Sequence, residues 1–275
     1  MKELLKKYNI RPSKRLGQNF LIDESILEKI IAASEISKDD IVLEIGPGPG
    51  ILTLALAKKA KKVIAIEKDA KMAEILNNEL GVKNIKNVEI INCDALKIFN
   101  FQFSIFNKFS IFNYKLVANL PYYIASPVIK MFLEAQNRPD LMVLMVQKEV
   151  GQRICAKTKM SLLGIAVQFY AQPEIVSLVP KTSFYPRPKV DSAIIKIVPQ
   201  KKLPEINREK FFSLVRAGFS SKRKVLIGNL SRELKIENCK LKIIFDQCKF
   251  DQKIRAENLS VEDWIKLYEQ IKNYL

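Results

Sequence analysis

The sequence predicts an α/β protein: an open, mostly parallel sheet with an antiparallel addition, followed by a small helical domain. Three observations predict it. Short apolar runs alternate with helix-spaced patterns through the first half of the chain. Glu44, Glu67, Asp94 and Asn119 stand at the ends of the first four of those runs. Beyond Pro204 strand alternation stops, and helical spacing continues to Leu275. Strands separated by helical stretches imply right-handed βαβ units and a parallel sheet, whose ligands bind at the carboxyl ends of the strands.

Taken in order, residues 1–20 form a basic arm in which Lys6, Lys7, Arg11, Lys14 and Arg15 surround Pro12 and Gly17. Asp23 is placed to cap a helix carrying Ile26, Leu27, Ile30 and Ile31. Ile41–Ile45 reads as the first strand, and a glycine turn after it feeds a helix with Leu52, Leu54 and Leu56. Val63–Ile66 reads as the second strand, residues 70–80 as a helix, and Val88–Ile91 as the third strand. Val117–Ala118 belongs to a fourth strand and Leu141–Val146 to a fifth. Val167–Val179 and Ala193–Val198 read as the antiparallel addition, joined through Phe184-Tyr-Pro-Arg-Pro188. Pro199-Gln-Lys-Lys-Leu-Pro204 is a linker pattern, so one domain is expected over 1–200 and a helical one over 205–275. The tandem Phe103-Ser-Ile-Phe-Asn107 and Phe109-Ser-Ile-Phe-Asn113 reads as an insertion before the fourth strand.

The bulk numbers narrow the function. A chain of 275 residues with 48% hydrophobic residues has enough material for a large packed domain and an appendage. Lys and Arg number 46 against 29 Asp and Glu, a formal charge of +17, which fits a phosphate-backbone partner. There is no histidine, which removes Ser–His, Cys–His and histidine-base mechanisms. Cys93, Cys155, Cys239 and Cys248 form no C-x-x-C pair, so neither a metal site nor a disulfide framework is expected. No apolar stretch reaches the roughly 18 residues of a membrane span. A cytoplasmic, monomeric protein without membrane association is the expectation.

Two motifs carry chemistry. In Glu44-Ile-Gly-Pro-Gly-Pro-Gly50 the glycines allow a tight turn and close backbone approach to a ligand. Glu67, at the next strand end, is placed to accept both hydroxyls of a ribose. The dinucleotide fingerprint needs glycine where Ile51 stands. Glu44 would repel a pyrophosphate and suits a zwitterionic amino-acid group better. With Asp94 positioned toward an adenine amine, these residues favour adenosylmethionine over a dinucleotide. The second motif, Asn119-Leu-Pro-Tyr122, directly follows the apolar run Lys115–Ala118. The amide oxygen of Asn119 and the Leu120 carbonyl can each accept one N–H of an exocyclic amine, and Tyr122 can stack on the base. Together the motifs read as alkylation of a nucleobase nitrogen, a reaction that needs no histidine.

Arg15-Leu-Gly-Gln-Asn-Phe-Leu21, the glycine turn, Ile66-Glu67, Cys93-Asp94, Asn119-Leu-Pro-Tyr122 and Phe184-Tyr-Pro-Arg-Pro-Lys-Val-Asp-Ser192 occur in this order. In this the chain resembles the ribosomal RNA adenine N6-dimethyltransferase family, most of all the small-subunit 16S enzymes, over nearly its whole length. The resemblance implies a Rossmann-like methyltransferase sheet. It also implies S-adenosylmethionine contacts from Asn19, Leu21, Gly46, Glu67, Asp94 and Asn119. Phe184 is implied to pack on the target base opposite Tyr122, with Asn119, Leu120 and Pro121 holding the base. The implied reaction places two methyl groups on each of two adjacent adenosines in the 3′-terminal hairpin of 16S rRNA, with the immature small subunit as partner. Gln18 departs from the family, where histidine is common. Arg216, Lys222, Arg223 and Lys224 are the expected RNA contacts, next to Phe211, Phe212 and Phe219. A large-subunit adenine dimethyltransferase and a non-catalytic ribosome assembly factor of the same fold stand as the alternatives.

Overall fold

The computed structural model describes residues 2–97 and 113–275. The Phe-rich repeat therefore falls almost entirely outside the described residues. Strands and helices are numbered here in chain order. The chain runs α1 (Lys2–Lys7), β1 (Phe20–Leu21), α2 (Glu24–Ala33), β2 (Ile41–Ile45), α3 (Ile51–Ala57), β3 (Lys62–Glu67), α4 (Ala70–Val82) and β4 (Val88–Asn92). It continues with β5 (Lys115–Asn119), α5 (Ala125–Glu134), β6 (Leu141–Gln147), α6 (Lys148–Ile154), α7 (Leu162–Tyr170), β7 (Ala171–Val179), β8 (Phe184–Tyr185) and β9 (Ser192–Pro199). The C-terminal helices are α8 (Arg208–Gly218), α9 (Leu226–Leu234), α10 (Asn238–Gln247) and α11 (Val261–Ile271).

A seven-stranded sheet has the order β4-β3-β2-β5-β6-β9-β7. The pairings β2–β3, β3–β4, β2–β5 and β5–β6 are parallel, whereas β9 is antiparallel to both β6 and β7. The apolar content of the central strands follows from this layout, because a parallel sheet is covered on both faces. Val42, Val63, Ile64, Leu116, Val117 and Val143 are all fully buried. The chain builds outward from β2 through β3 to β4, then returns to start β5 on the other side of β2. The carboxyl ends of β2 and β5 therefore flank the point where the strand order reverses, the usual place for a ligand crevice.

Local chemistry explains the boundaries. Asp23 and Asp69 each accept a backbone N–H at the start of their helices, α2 and α4. Gly50 stands before α3 with φ +96°, and a Cβ there would collide with Leu76 Cδ1, so only glycine fits this turn. β1 and β8 form a separate two-stranded antiparallel ribbon in which Phe20 pairs with Tyr185 and Leu21 with Phe184.

The chain divides into two compact units, residues 1–152 with 171–199 and residues 153–170 with 200–275. The expected first domain over 1–200 thus needs a correction, because 153–170 packs with the C-terminal helices. The expected strand Val167–Val179 is corrected with it: 162–170 is helix α7, and β7 begins only at Ala171. Aromatic packing accounts for both changes. Phe169 stacks on Phe211 with centroids 4.8 Å apart, and Tyr170 stacks on Phe212 at 5.8 Å. The Gln168 side-chain amide donates to the carbonyls of Ile154 and Ala156, closing the segment on itself. In the second unit Trp264, Leu214 and Leu230 are fully buried, and Ser260 opens α11 with a reciprocal capping box to Asp263. Among the described residues no helix is long and apolar enough to cross a membrane.

Candidate active site

A crevice enclosing about 890 Å³ of space open to solvent lies at the strand-order reversal. Asn19, Gly46, Glu67, Asp94, Asn119, Leu120, Pro121 and Tyr122 all line it. Residues scattered over a hundred positions of sequence meet here because each stands at or just beyond the carboxyl end of a strand, or on the arm leading into β1.

The glycine turn forms one wall. Gly46 and Gly48 have φ of +69° and +54°, in the left-handed region that glycine adopts without strain. A Cβ on Gly48 would come within 3.1 Å of the Phe20 ring, and one on Gly46 within 3.4 Å of Pro121. The bare backbone therefore lets the two walls approach each other. Glu67 supports the turn from below: Gly48 N–H donates to its Oε2 at 3.0 Å and Asp69 N–H to its Oε1 at 2.8 Å. Burial raises the Glu67 pKa above the ordinary carboxylate value; the Asp69, Gly48 and Lys68 N–H groups oppose the rise and the Asp69 charge adds to it. Asp94 Oδ1 accepts the Leu96 N–H at 3.0 Å and its Oδ2 lies 2.8 Å from Lys68 Nζ. Asp94 is thus both the cap of the turn after β4 and part of the crevice wall.

The opposite wall is Asn119–Tyr122. Asn119 Nδ2 donates to the Asn19 carbonyl at 3.4 Å, which leaves Oδ1 as the acceptor for an incoming group. Asn19 Nδ2 in turn donates to the Gly17 carbonyl, so the N-terminal arm and the acceptor loop are hydrogen-bonded in series. The Leu120 N–H donates to the Met145 carbonyl and Ile124 N–H to the Pro121 carbonyl, fixing the loop on both sides of the proline. Tyr122 Oη and Ser192 Oγ are 2.7 Å apart, and Ser192 is fully buried. The phenol is therefore anchored and its ring orientation set. Burial pushes its pKa up, the Ser192 contact opposes this, and the Asp191 charge adds to it.

Three expectations change. Glu44, read as facing the ligand, is 1% exposed and does not line the crevice. It pairs with Ala65 inside the β2–β3 ladder, and its neighbour Ile45 faces the crevice instead. Leu21 and Phe184 are likewise absent from the crevice wall: they pair with each other in the β1–β8 ribbon and join a hydrophobic core cluster with Ile26, Ile30 and Val143. Side chains alternate along a strand, so burying Phe184 (3% exposed) turns Tyr185 outward (49%). Sequence reading also missed residues that the structure adds to the site. Gln18 receives the Ser13 N–H on Oε1 and donates from Nε2 to Asp69, tying the arm to the start of α4. Lys68 and the exposed Tyr123 also line the crevice. Their positions, one residue beyond Glu67 and one beyond Tyr122, were the available signal.

Arg216, Lys222, Arg223 and Lys224 are all exposed in the second unit. Arg216 sits in the last turn of α8, and the other three lie in the turn between α8 and α9. That turn is held from beneath by Asn229, which is fully buried and donates to the carbonyls of Gly218 and Ser221.

The family model for ribosomal RNA adenine dimethylases matches residues 9–273. The chain belongs to this family. Among the dimethylase's relatives, a ribosomal RNA small subunit methyltransferase A from Dehalococcoides mccartyi is 44% identical over 269 residues, covering 97% of this chain and 90% of that protein. One of the same name from Clostridium botulinum is 42% identical over 279 residues, covering 100% and 99%. Among solved structures, a dimethyladenosine transferase from Plasmodium falciparum superposes with a TM-score of 0.76 at 31% identity, over 93% of this chain and 98% of the other. The 23S rRNA methyltransferase ErmE gives 0.73 at 25% identity, over 92% and 100%. The dimethylase is thus an enzyme of the Rossmann-like rRNA methyltransferase fold, with β9 and β7 as the antiparallel part of its sheet.

Proposed function

We propose that this dimethylase transfers methyl groups from S-adenosylmethionine to N6 of two adjacent adenosines in the 3′-terminal hairpin of 16S rRNA, during assembly of the small subunit. The observation that carries the reading is the pairing of walls in one crevice: a glycine turn backed by Glu67 and the Asn119–Tyr122 loop, whose Asn119 amide nitrogen is engaged by the Asn19 carbonyl, line the same space. The bare backbone of Gly46 and Gly48, with two carboxylates at the adjoining strand ends, fits a nucleoside joined to an amino acid. The donor supplies a methyl group already activated on a sulfonium.

The protein's own residues do the positioning. Glu67 receives the ribose hydroxyls and Asp94 the donor's exocyclic amine, each carboxylate having acceptor positions beyond those its N–H partners occupy. Asn119 Oδ1 and the Leu120 carbonyl accept the two N6 hydrogens of the target adenine. That grip draws the nitrogen toward a pyramidal geometry and turns its lone pair toward the methyl group. It is stronger in the transition state than in the ground state, and so accelerates the reaction. Tyr122, anchored on Ser192, supplies the stacking face. Phe184 is buried as the ribbon stands, so the stacking falls to Tyr122 alone. The proton left on nitrogen after transfer passes to water, and no general base is required.

The small subunit is favoured over the large because the relatives at 42–44% identity are named for it, whereas the 23S enzyme is 25% identical. The experiment is transfer of labelled methyl groups to unmethylated small subunits and to large subunits, followed by nucleoside analysis. Labelled N6,N6-dimethyladenosine from the small subunit supports the reading. Label only in the large subunit, or none in either, overturns it.

A further inference from the structure

The N-terminal arm is held at two places. Its first half packs on α4: Leu5 and Ile10 cluster with Phe20, Met72 and Ile75. The buried Glu79 carboxylate there accepts from Lys7 Nζ at 2.7 Å and from Tyr8 Oη at 2.9 Å. Its last residues line the crevice, and among them the side-chain amide of Gln18 is engaged at both ends. Oε1 accepts the Ser13 N–H at 2.8 Å, and Nε2 donates to Asp69 Oδ2 at 2.9 Å. The Gln18 N–H also donates to the Ser13 carbonyl, which closes the loop 13–18. Asp69 is tied to the glycine-turn wall, since its N–H donates to Glu67 Oε1 while the Gly48 N–H donates to Oε2. One residue beyond Gln18, the Asn19 carbonyl accepts from Asn119 Nδ2 at 3.4 Å. Gln18 thus stands where the hydrogen bonds of one wall meet those of the other.

A carboxamide can turn either its oxygen or its nitrogen toward an incoming group, and an amine that is to be methylated needs the oxygen. A backbone carbonyl only accepts, so its position decides which way a neighbouring amide is turned. We propose that Gln18 is a positioning residue for methyl transfer: by bridging Ser13 and Asp69 it fixes the Asn19 carbonyl, which holds the Asn119 amide by its nitrogen and keeps the oxygen for the target. The inference rests on the reading that Asn119 grips the target nitrogen. The apolar cluster and Glu79 keep the arm on α4 when Gln18 is changed, so the loss is one of register in its last residues. Misplacement by about 1 Å can cost on the order of a hundredfold in rate, and a partial loss of register correspondingly less.

The test reverses one hydrogen bond. Gln18→Glu is nearly isosteric; it keeps an acceptor for the Ser13 N–H but sets a second carboxylate against Asp69. Adding Asp69→Asn supplies an amide nitrogen that donates to the new carboxylate, and the net charge of the pair returns to that of wild type. Asp69 Oδ1 caps α4 by accepting the Lys71 N–H, a duty asparagine performs equally well. The readout is single-turnover transfer of labelled methyl groups to unmethylated small subunits, with enzyme and S-adenosylmethionine in saturating excess. Gln18→Glu should lower the rate about tenfold, and Gln18→Glu with Asp69→Asn should return it to within about twofold of wild type. On an Asn119→Ala background, Gln18→Glu should change the rate by less than about twofold, because the group it positions is gone. A residue that serves only to hold the arm would lower the rate on both backgrounds alike. A Gln18→Glu rate equal to wild type, a swap no faster than Gln18→Glu, or the full loss repeated on Asn119→Ala overturns the inference and leaves the proposed reaction standing. No transfer by wild type overturns that reaction, and a wild-type rate in Asn119→Ala overturns the role of the amide; either takes the inference with it.

Discussion

At the scale of single residues, Asn119 and Glu67 stand on opposite walls of the crevice, and on the proposed function their substitutions should separate. Asn119→Ala removes one preorganised acceptor from the target nitrogen and should lower turnover at least about a hundredfold, while donor affinity changes far less. Glu67→Ala removes the group beneath the glycine turn and should instead weaken donor binding. Single-turnover rates beside donor titrations read both; equal losses in rate and affinity for Asn119→Ala would remove its role in the transition state. That these two residues line the crevice was legible in the sequence because each ends an apolar run, and a strand end in an open sheet is an address. Glu44 was misplaced by the same reasoning, since one residue of register moves a side chain to the other face. Its burial has a consequence for stability. Burial raises its pKa from 4.5 to about 8, the Thr53 hydroxyl opposing and the Glu67 charge adding. Between those values the folded chain holds a proton that the unfolded chain has released, so stability falls as pH rises through that window and levels off above it. The full span corresponds to on the order of 4–5 kcal/mol. Glu44→Gln should flatten this dependence, which urea unfolding at about pH 5 and about pH 8.5 would show. An unchanged slope would place the titration elsewhere.

At the scale of elements, the parallel strands were readable because buried β-branched runs of four to six residues have few alternatives once turn residues bound them. The boundaries moved by a residue or two, as in β3, which starts at Lys62 and ends on Glu67. Helix α7 was not readable. Leu162-Leu-Gly-Ile-Ala-Val-Gln-Phe-Tyr170 is short, apolar and β-branched in part, so its periodicity fits either structure. What decides it is distant in sequence: Phe211 and Phe212 on α8 provide the aromatic surface on which Phe169 packs. The same helix α8 ends at Gly218, where an added Cβ would collide with Trp264 Cη2 and approach Leu226 Cδ1 at 2.8 Å. Trp264 is fully buried and has no space to yield. Gly218→Ala should therefore destabilise the second unit by about 1–3 kcal/mol, the usual scale of overpacking. Chemical denaturation followed by Trp264, the chain's single tryptophan, reports on that unit directly. A midpoint equal to wild type would mean that α8 and α11 separate at no cost.

At the scale of the whole molecule, the charge of +17 is the property that sequence gives most reliably and locates least. The structure narrows it by showing which cations stand free on a shaped surface. Asn229 pins the α8–α9 turn through Gly218 and Ser221, and Arg232 Nη2 donates to the hydroxyls of Ser220 and Ser221. Lys222, Arg223 and Lys224 are thus presented on a turn whose backbone is held in place, leaving little backbone entropy to lose on binding. Phosphate contacts made by such a turn release condensed counterions, so their number is readable from salt dependence. Lys222→Glu with Arg223→Glu should weaken binding of small-subunit rRNA and reduce the slope of log K against log salt by about one to two. Donor affinity, measured without RNA, should stay at its wild-type value, since neither residue lines the donor crevice. If the double variant keeps the wild-type slope, the RNA backbone meets another face, and the basic arm around Arg11, Lys14 and Arg15 becomes the surface to test by the same measurement.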